Sequence, residues 1–180
     1  MSSRARVLAS KVVFSGHVFQ VTVDRIVEPS GVKARREVVH HPGSVVVLPR
    51  LKNGKVLLVR QFRYSAGQPL WELVAGGIEA GETPVAAAAR ELAEETGYRA
   101  QAYRPILHFY PSPGILTEVM HLVEALHPTP GEARPEPDER IQVKAFGTRE
   151  LKKMLYSRHI KDGKTLVGLL WLFGTPHQKA

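Results

Sequence analysis

Arg90, Glu91, Glu94 and Glu95 fall within six residues of the stretch GGIEAGETPVAAAARELAEETGY, residues 76–98. Helical residues three and four apart are neighbours, so Glu91 lies one turn from both Glu94 and Glu95. Carboxylates at that spacing repel modestly in water. A hard divalent cation reverses the sign, because Mg²⁺ takes oxygen ligands and favours one or two carboxylates together with phosphate oxygens. The helix alone is an ordinary Ala- and Glu-rich helix former, and by itself would read as a solvated face. The upstream loop changes that reading. Gly76, Gly77 and Gly81 flank Glu79, and Glu82 precedes Thr83-Pro84. Thr83 is a good N-cap and Pro84 suits the first helical position. The chain therefore leaves an extended run at 70–74, turns on glycines and enters a capped helix. Acidic side chains come from loop and helix, with backbone between them that glycine leaves open to a ligand. This is a candidate site for a metal ion and a phosphate.

These residues resemble the Nudix box: Gly, five residues, Glu, seven residues, then Arg-Glu-apolar-x-Glu-Glu-x-Gly-apolar. The pattern falls on Gly76, Glu82, Arg90, Glu91, Leu92, Glu94, Glu95 and Gly97, with Tyr98 where an aliphatic residue is more usual. The resemblance implies metal-dependent hydrolysis of a nucleoside diphosphate linked to another moiety. It implies Mg²⁺, with Mn²⁺ as an alternative, held by Glu91 and Glu95, with Glu94 and the Ala75 backbone carbonyl as further ligands and Glu79 joining through water. Arg90 would orient the carboxylates by charge-assisted hydrogen bonds.

Composition bounds the rest. A chain of 180 residues that is 43% hydrophobic is long and apolar enough to bury a core. No cysteine is present, which excludes disulfides, zinc-thiolate sites and a thiol nucleophile. The N-terminal residues lack the apolar stretch of a signal peptide, and no run approaches a membrane span, so a cytoplasmic location with no membrane partner is expected. The net charge of +8, from 25 basic and 17 acidic residues, favours anionic partners. The basic residues are scattered and lack the interleaved aromatics of a single-strand platform, so a nucleotide is expected rather than nucleic acid.

The elements that must position the box can be read in outline. Residues 10–41 alternate as strands around Ser-Gly and Pro-Ser-Gly turns. SVVVLPR and KVLLVRQFRY flank Asn53-Gly54, a strong hairpin signal. The box helix is expected over 84–96, strands over 100–109, 115–126 and 141–146, a helix capped by Thr148 through about 156, and a last helix over about 164–173. In that last helix Leu166, Leu169, Leu170 and Phe173 recur at core spacing. Strands interleaved with helices predict an α+β chain with a mixed sheet between helices. This agrees with the Nudix fold, an α/β/α sandwich. Residues 1–43 are expected to form a separate small antiparallel sheet and 44–180 the Nudix domain. In ADP-ribose-type members such an N-terminal sheet helps build a homodimer.

Three further segments resemble the ADP-ribose pyrophosphatase subfamily. Pro113 lies 15 positions after Tyr98, and the segment from Tyr110 to Glu118 resembles the subfamily's loop, which places Pro113 and Glu118 on the substrate side. In VRQFRY, Arg63 matches a substrate-contacting arginine, and Arg36 in RREVV matches another. Arginine suits the task because its planar fork binds phosphate in a bidentate manner. Glu139 matches an acid in a loop before a strand, giving Glu139 or Glu94 as the general base. The expected reaction is hydrolysis of ADP-ribose to AMP and ribose 5-phosphate. GDP-mannose or another nucleoside diphosphate sugar is the rival substrate. A non-catalytic nucleotide-sensing module is the rival of another class, though such modules typically lose box carboxylates that are present here.

Overall fold

The computed structural model describes residues 4–133 and 140–174. The chain divides into two compact units, Met1–Gly43 with Phe109–Val119, and Ser44–His108 with Met120–Ala180.

The first unit is a three-stranded antiparallel sheet in the order β1-β2-β3, from β1 (Arg6–Ser15), β2 (Gln20–Val27) and β3 (Lys33–His40). Residues 109–119 join this unit by backbone rather than by sequence order. Val39 N–H donates to the Ile115 carbonyl at 2.8 Å, and Thr117 N–H donates to the Val39 carbonyl at 2.9 Å. The strand expected over 115–126 therefore begins only at Met120, because Ser112–Thr117 are occupied in a turn and in this pairing.

The second unit is built on a mixed sheet. Its strands are β4 (Ser44–Arg50), β5 (Val56–Arg63), β6 (Gln68–Glu72), β7 (Val74–Gly77), β8 (Ala102–Phe109), β9 (Met120–Leu126) and β10 (Gln142–Phe146). The sheet runs β10-β5-β4-β9-β8, with β6 paired to β5 and β7 to β4; β4 and β9 are parallel. Asn53 closes the β4–β5 hairpin by accepting from Lys55 N–H. Strand side chains alternate faces, and here both faces are buried. Val45 and Val47 join Val59, Val74, Val123 and helix α1 (Pro84–Thr96) in one core layer. Val46 and Leu48 join Leu58, Leu73 and Leu122 in the other, against α2 (Thr148–Tyr156) and α3 (Gly163–Gly174). The result is the expected sandwich of helices about a sheet. Each fully buried Val or Leu contributes roughly 1.5–3 kcal/mol, so the sheet that carries the site is anchored from both sides.

Two local expectations are corrected. Thr148 is the first helical residue and Gly147 the N-cap, with no side-chain cap. Leu170 is 58% exposed, whereas Leu169 and Leu172 are buried. Gly168 sits so close to Leu73 that a Cβ there would meet it at 2.4 Å. The helix thus docks through its glycine and threonine face, which turns Leu170 outward. Among the described residues, no helix is long and apolar enough to cross a membrane.

Candidate active site

The box is presented by a strand-turn-helix. β7 pairs with β4 and runs to Gly77, and the turn closes where Glu82 N–H meets the Glu79 carbonyl at 3.0 Å. Thr83 caps α1 by accepting from Ala86 N–H at 3.2 Å. The helix ends at Gly97, whose φ of 74° is left-handed and favours glycine. Ala87, Ala88 and Leu92 fasten α1 to the sheet; Glu95 is buried with them, and the box acids run along the stripe at the edge of that face.

That stripe converges on Arg90. Its Nε and Nη2 donate to the two oxygens of Glu82 at 3.1 and 3.0 Å. Nη1 donates to Glu91 at 2.7 Å and to Glu94 at 3.1 Å, and Nη2 also donates to the Gly77 carbonyl at 2.8 Å. Glu79 lies 3.9 Å from Nε. These bonds, first of all with Glu82, hold the Arg90 pKa well above its ordinary value. The same contact holds the Glu82 carboxyl below the usual glutamate range. One guanidinium thus gathers four carboxylates and ties them to the loop backbone. Among the described residues, no three acidic or histidine side chains converge on a single point; Arg90 is the centre of the arrangement.

Gly76 makes room for Glu91. A Cβ at that position would sit 1.9 Å from Glu91 Oε1, far inside contact distance. The carboxylate therefore lies directly over the strand backbone beside Ala75. Replacing Gly76 by alanine should displace Glu91 and lower activity by at least about tenfold. Overpacking of this kind also costs roughly 1–3 kcal/mol. Steady-state kinetics alongside a melting curve measures both effects.

A second charged cluster lies on β5, β6 and the start of α3. Glu72 is 1% exposed. It accepts from Arg63 Nε and Nη2, both at 2.9 Å, and from Lys164. Asp162 binds Lys164 at 2.9 Å and caps α3 by accepting from Thr165 N–H at 3.0 Å. Burial alone would raise the Glu72 pKa, but the bonds from Arg63 and Lys164 outweigh it and hold the carboxyl low. Arg63 is raised above its ordinary value, chiefly by its bond to Glu72, and the charge of Glu95 adds to that. Arg63 is thus within electrostatic reach of the box helix.

The sequence-predicted residues fall into three groups. Ala75, Glu79, Glu91, Glu94 and Glu95 share the strand-turn-helix, with Glu95 buried and Glu94 nearly half exposed. Arg63 stands beside them through the Glu72 cluster. Arg36, Pro113 and Glu118 belong to the first unit. There Arg36 Nη2 donates to Glu28 at 2.5 Å, and buried Glu118 lies 3.6 Å from His41 Nδ1. Glu139 lies outside the described residues. Glu72 and Lys164 were missed by the sequence reading. An acid inside the apolar run Leu70–Val74 was the available signal, since a buried carboxylate demands cationic partners.

The donor set suits a hard divalent cation. It consists only of carboxylate oxygens and a strand carbonyl, and the Gly76 cradle sets Glu91 against the backbone.

Comparison with known proteins follows the same lines. The NUDIX domain model matches residues 39–165. An ADP-ribose pyrophosphatase of Bacillus subtilis (strain 168) is 36% identical over 173 residues, which cover 95% of this chain and 94% of that protein. A methanol dehydrogenase activator of Bacillus methanolicus is 32% identical over 169 residues, covering 93% and 91%. The crystal structure of an ADP compounds hydrolase shares the fold with a TM-score of 0.81, covering 95% of each chain at 19% identity. With the intact box on its strand-turn-helix and a family match over residues 39–165, the chain belongs to the NUDIX family.

Proposed function

We propose that the protein is a pyrophosphatase that hydrolyses the diphosphate of ADP-ribose, releasing AMP and ribose 5-phosphate. The observation that carries this reading is the gathering of the box carboxylates Glu82, Glu91 and Glu94 by Arg90, with Glu91 set over the Gly76 cradle. The 36% identity to an ADP-ribose pyrophosphatase along almost the whole chain supports the substrate.

Glu91 and Glu95, with Glu94, the Ala75 carbonyl and Glu79, would hold Mg²⁺. When bound, the ion supplies charge neutralisation of the diphosphate and a water of lowered pKa. The chain's own residues do the rest. Arg90 fixes the carboxylates, so little reorganisation is needed when the diphosphate arrives. Arg63, oriented by Glu72, offers its remaining donor capacity to a phosphate oxygen. Glu94, partly exposed on the stripe, or Glu139 accepts the proton of the attacking water. Arg36, Pro113 and Glu118, all in the first unit, are the further residues that the resemblance to ADP-ribose pyrophosphatases assigns to substrate.

A substrate panel tests the reading. With Mg²⁺ present, ADP-ribose should be turned over with a higher kcat/KM than GDP-mannose or a nucleoside triphosphate. Preferred turnover of GDP-mannose would move the assignment to another nucleoside diphosphate sugar. Binding of ADP-ribose without any turnover would make the protein a nucleotide sensor instead.

We also place the enzyme in the cytoplasm as a homodimer. On β1, Val7, Leu8, Val12, Val13 and Phe14 are each close to half exposed or more. Apolar surface of that extent on a small sheet marks an interaction face. Light scattering should give twice the chain mass, and Val13→Asp should shift the protein toward the monomer. A monomeric wild type would contradict the assignment.

A further inference from the structure

Within the second unit, a cavity of about 400 Å³ is lined by Arg60, Arg158, His159 and Lys161, with Trp71 and Gln68 among its other walls. No carboxylate lines it. Elsewhere in the unit Arg63, Arg90, Arg104, Lys144 and Lys164 each hold an acidic partner. The described contacts of the cavity cations are neutral. Arg60 lies 6.0 Å from the Trp71 ring, Lys161 Nζ donates to Gln68 Oε1 at 2.9 Å, and His159 Nδ1 is 2.7 Å from Ser157 Oγ. Asp162 is the nearest acid in sequence, but its carboxylate is committed to Lys164 and Thr165. Three permanent cations and a histidine held around one concavity repel each other, and an anion inside it would reverse that cost.

The cavity shares no lining residue with the box, and its Arg60–Trp71 wall faces the opposite side of the sheet. Arg60 pairs with Trp71 across β5 and β6, one residue out of step with Val59 and Glu72, and successive strand residues point to opposite faces. Val59 packs in the α1 layer, while Trp71 packs against the layer of α2 and α3. Arg158 and His159 come from the turn after α2, where Arg158 has a left-handed φ of 60° and His159 N–H closes on the Met154 carbonyl at 2.9 Å.

We infer that this cavity is a second binding site, separate from the site of hydrolysis, for the phosphate monoester of a small organic molecule. Arg158 and Lys161 meet the phosphate, for which arginine supplies a planar fork and lysine a point charge. The volume exceeds that of a free phosphate and matches the lower range of small-molecule pockets. Trp71, with Pro69 and Leu70, gives the organic portion an apolar wall.

Calorimetric titration of the metal-free protein with AMP, and separately with adenosine, tests the site. AMP should bind saturably and adenosine should not. The double variant Arg158→Gln, Lys161→Gln should weaken AMP binding by about tenfold or more. Both residues are exposed, so the variant should fold and keep the wild-type rate of hydrolysis. Unchanged AMP affinity in the double variant, equal binding of adenosine, or no AMP binding to the wild type would each overturn the inference.

Discussion

Glu95→Gln lowers kcat by about a thousandfold while leaving the fold intact. Glu95 is 6% exposed and projects from α1 among the box acids. Glutamine keeps its shape and removes its charge. A bound metal ion contributes several kcal/mol to charge stabilisation in the transition state, and each 1.4 kcal/mol is tenfold in rate. Losing one of the proposed anionic ligands should therefore weaken both metal binding and catalysis. The measurement is kcat at saturating Mg²⁺, with circular dichroism as the control for fold. A variant that keeps wild-type kcat would remove Glu95 from the metal site. Glu94→Gln separates a ligand from a base: loss of a base should alter the acid limb of the pH–rate profile as well as the rate.

Glu72→Ala has the largest expected effect on stability. Removing one partner of a buried ion pair costs about 3–5 kcal/mol, because the remaining charge is left uncompensated. Arg63 keeps some solvent access, with 37% of its side chain exposed, so the lower end of that range applies. For a chain of this size about 3 kcal/mol corresponds to roughly 10 °C in Tm. The sign of the pH dependence follows from the depressed folded pKa of Glu72. Its stabilisation is fully present above its ordinary value of 4.5 and is lost as pH falls through the lower folded value. Wild-type Tm should therefore drop more steeply below pH 4.5 than the Tm of Glu72→Ala. Parallel acid limbs would show that Glu72 is not held low. Kinetics should also change, since Arg63 loses the carboxylate that orients it; KM for ADP-ribose should rise.

The parts of the site that lie in one continuous stretch were legible from sequence. The cap at Thr83, the helix from Pro84 to Thr96 and the stop at Gly97 all follow from local chemistry. The contact of Glu94 with Arg90 follows from helical spacing. What sequence did not disclose depends on contacts between distant positions. Glu72 and Lys164 are 92 residues apart, and no periodicity links them. The outward turn of Leu170 depends on Gly168 meeting Leu73. The beginning of the strand expected over 115–126 was lost to a backbone pairing with Val39 that only the folded first unit provides. The cationic cavity is of the same kind, since Arg60 and Arg158 come from a strand and a turn far apart in the chain. Local patterns therefore located the box, and tertiary packing determined the charges that surround it.

The most direct test of the central claim is release of AMP from ADP-ribose by the purified wild-type protein, with Mg²⁺ and with chelator in its place. The account predicts equal amounts of AMP and ribose 5-phosphate with Mg²⁺ and no product with chelator. Intact ADP-ribose in the presence of Mg²⁺, or product formation unaffected by the chelator, would contradict it.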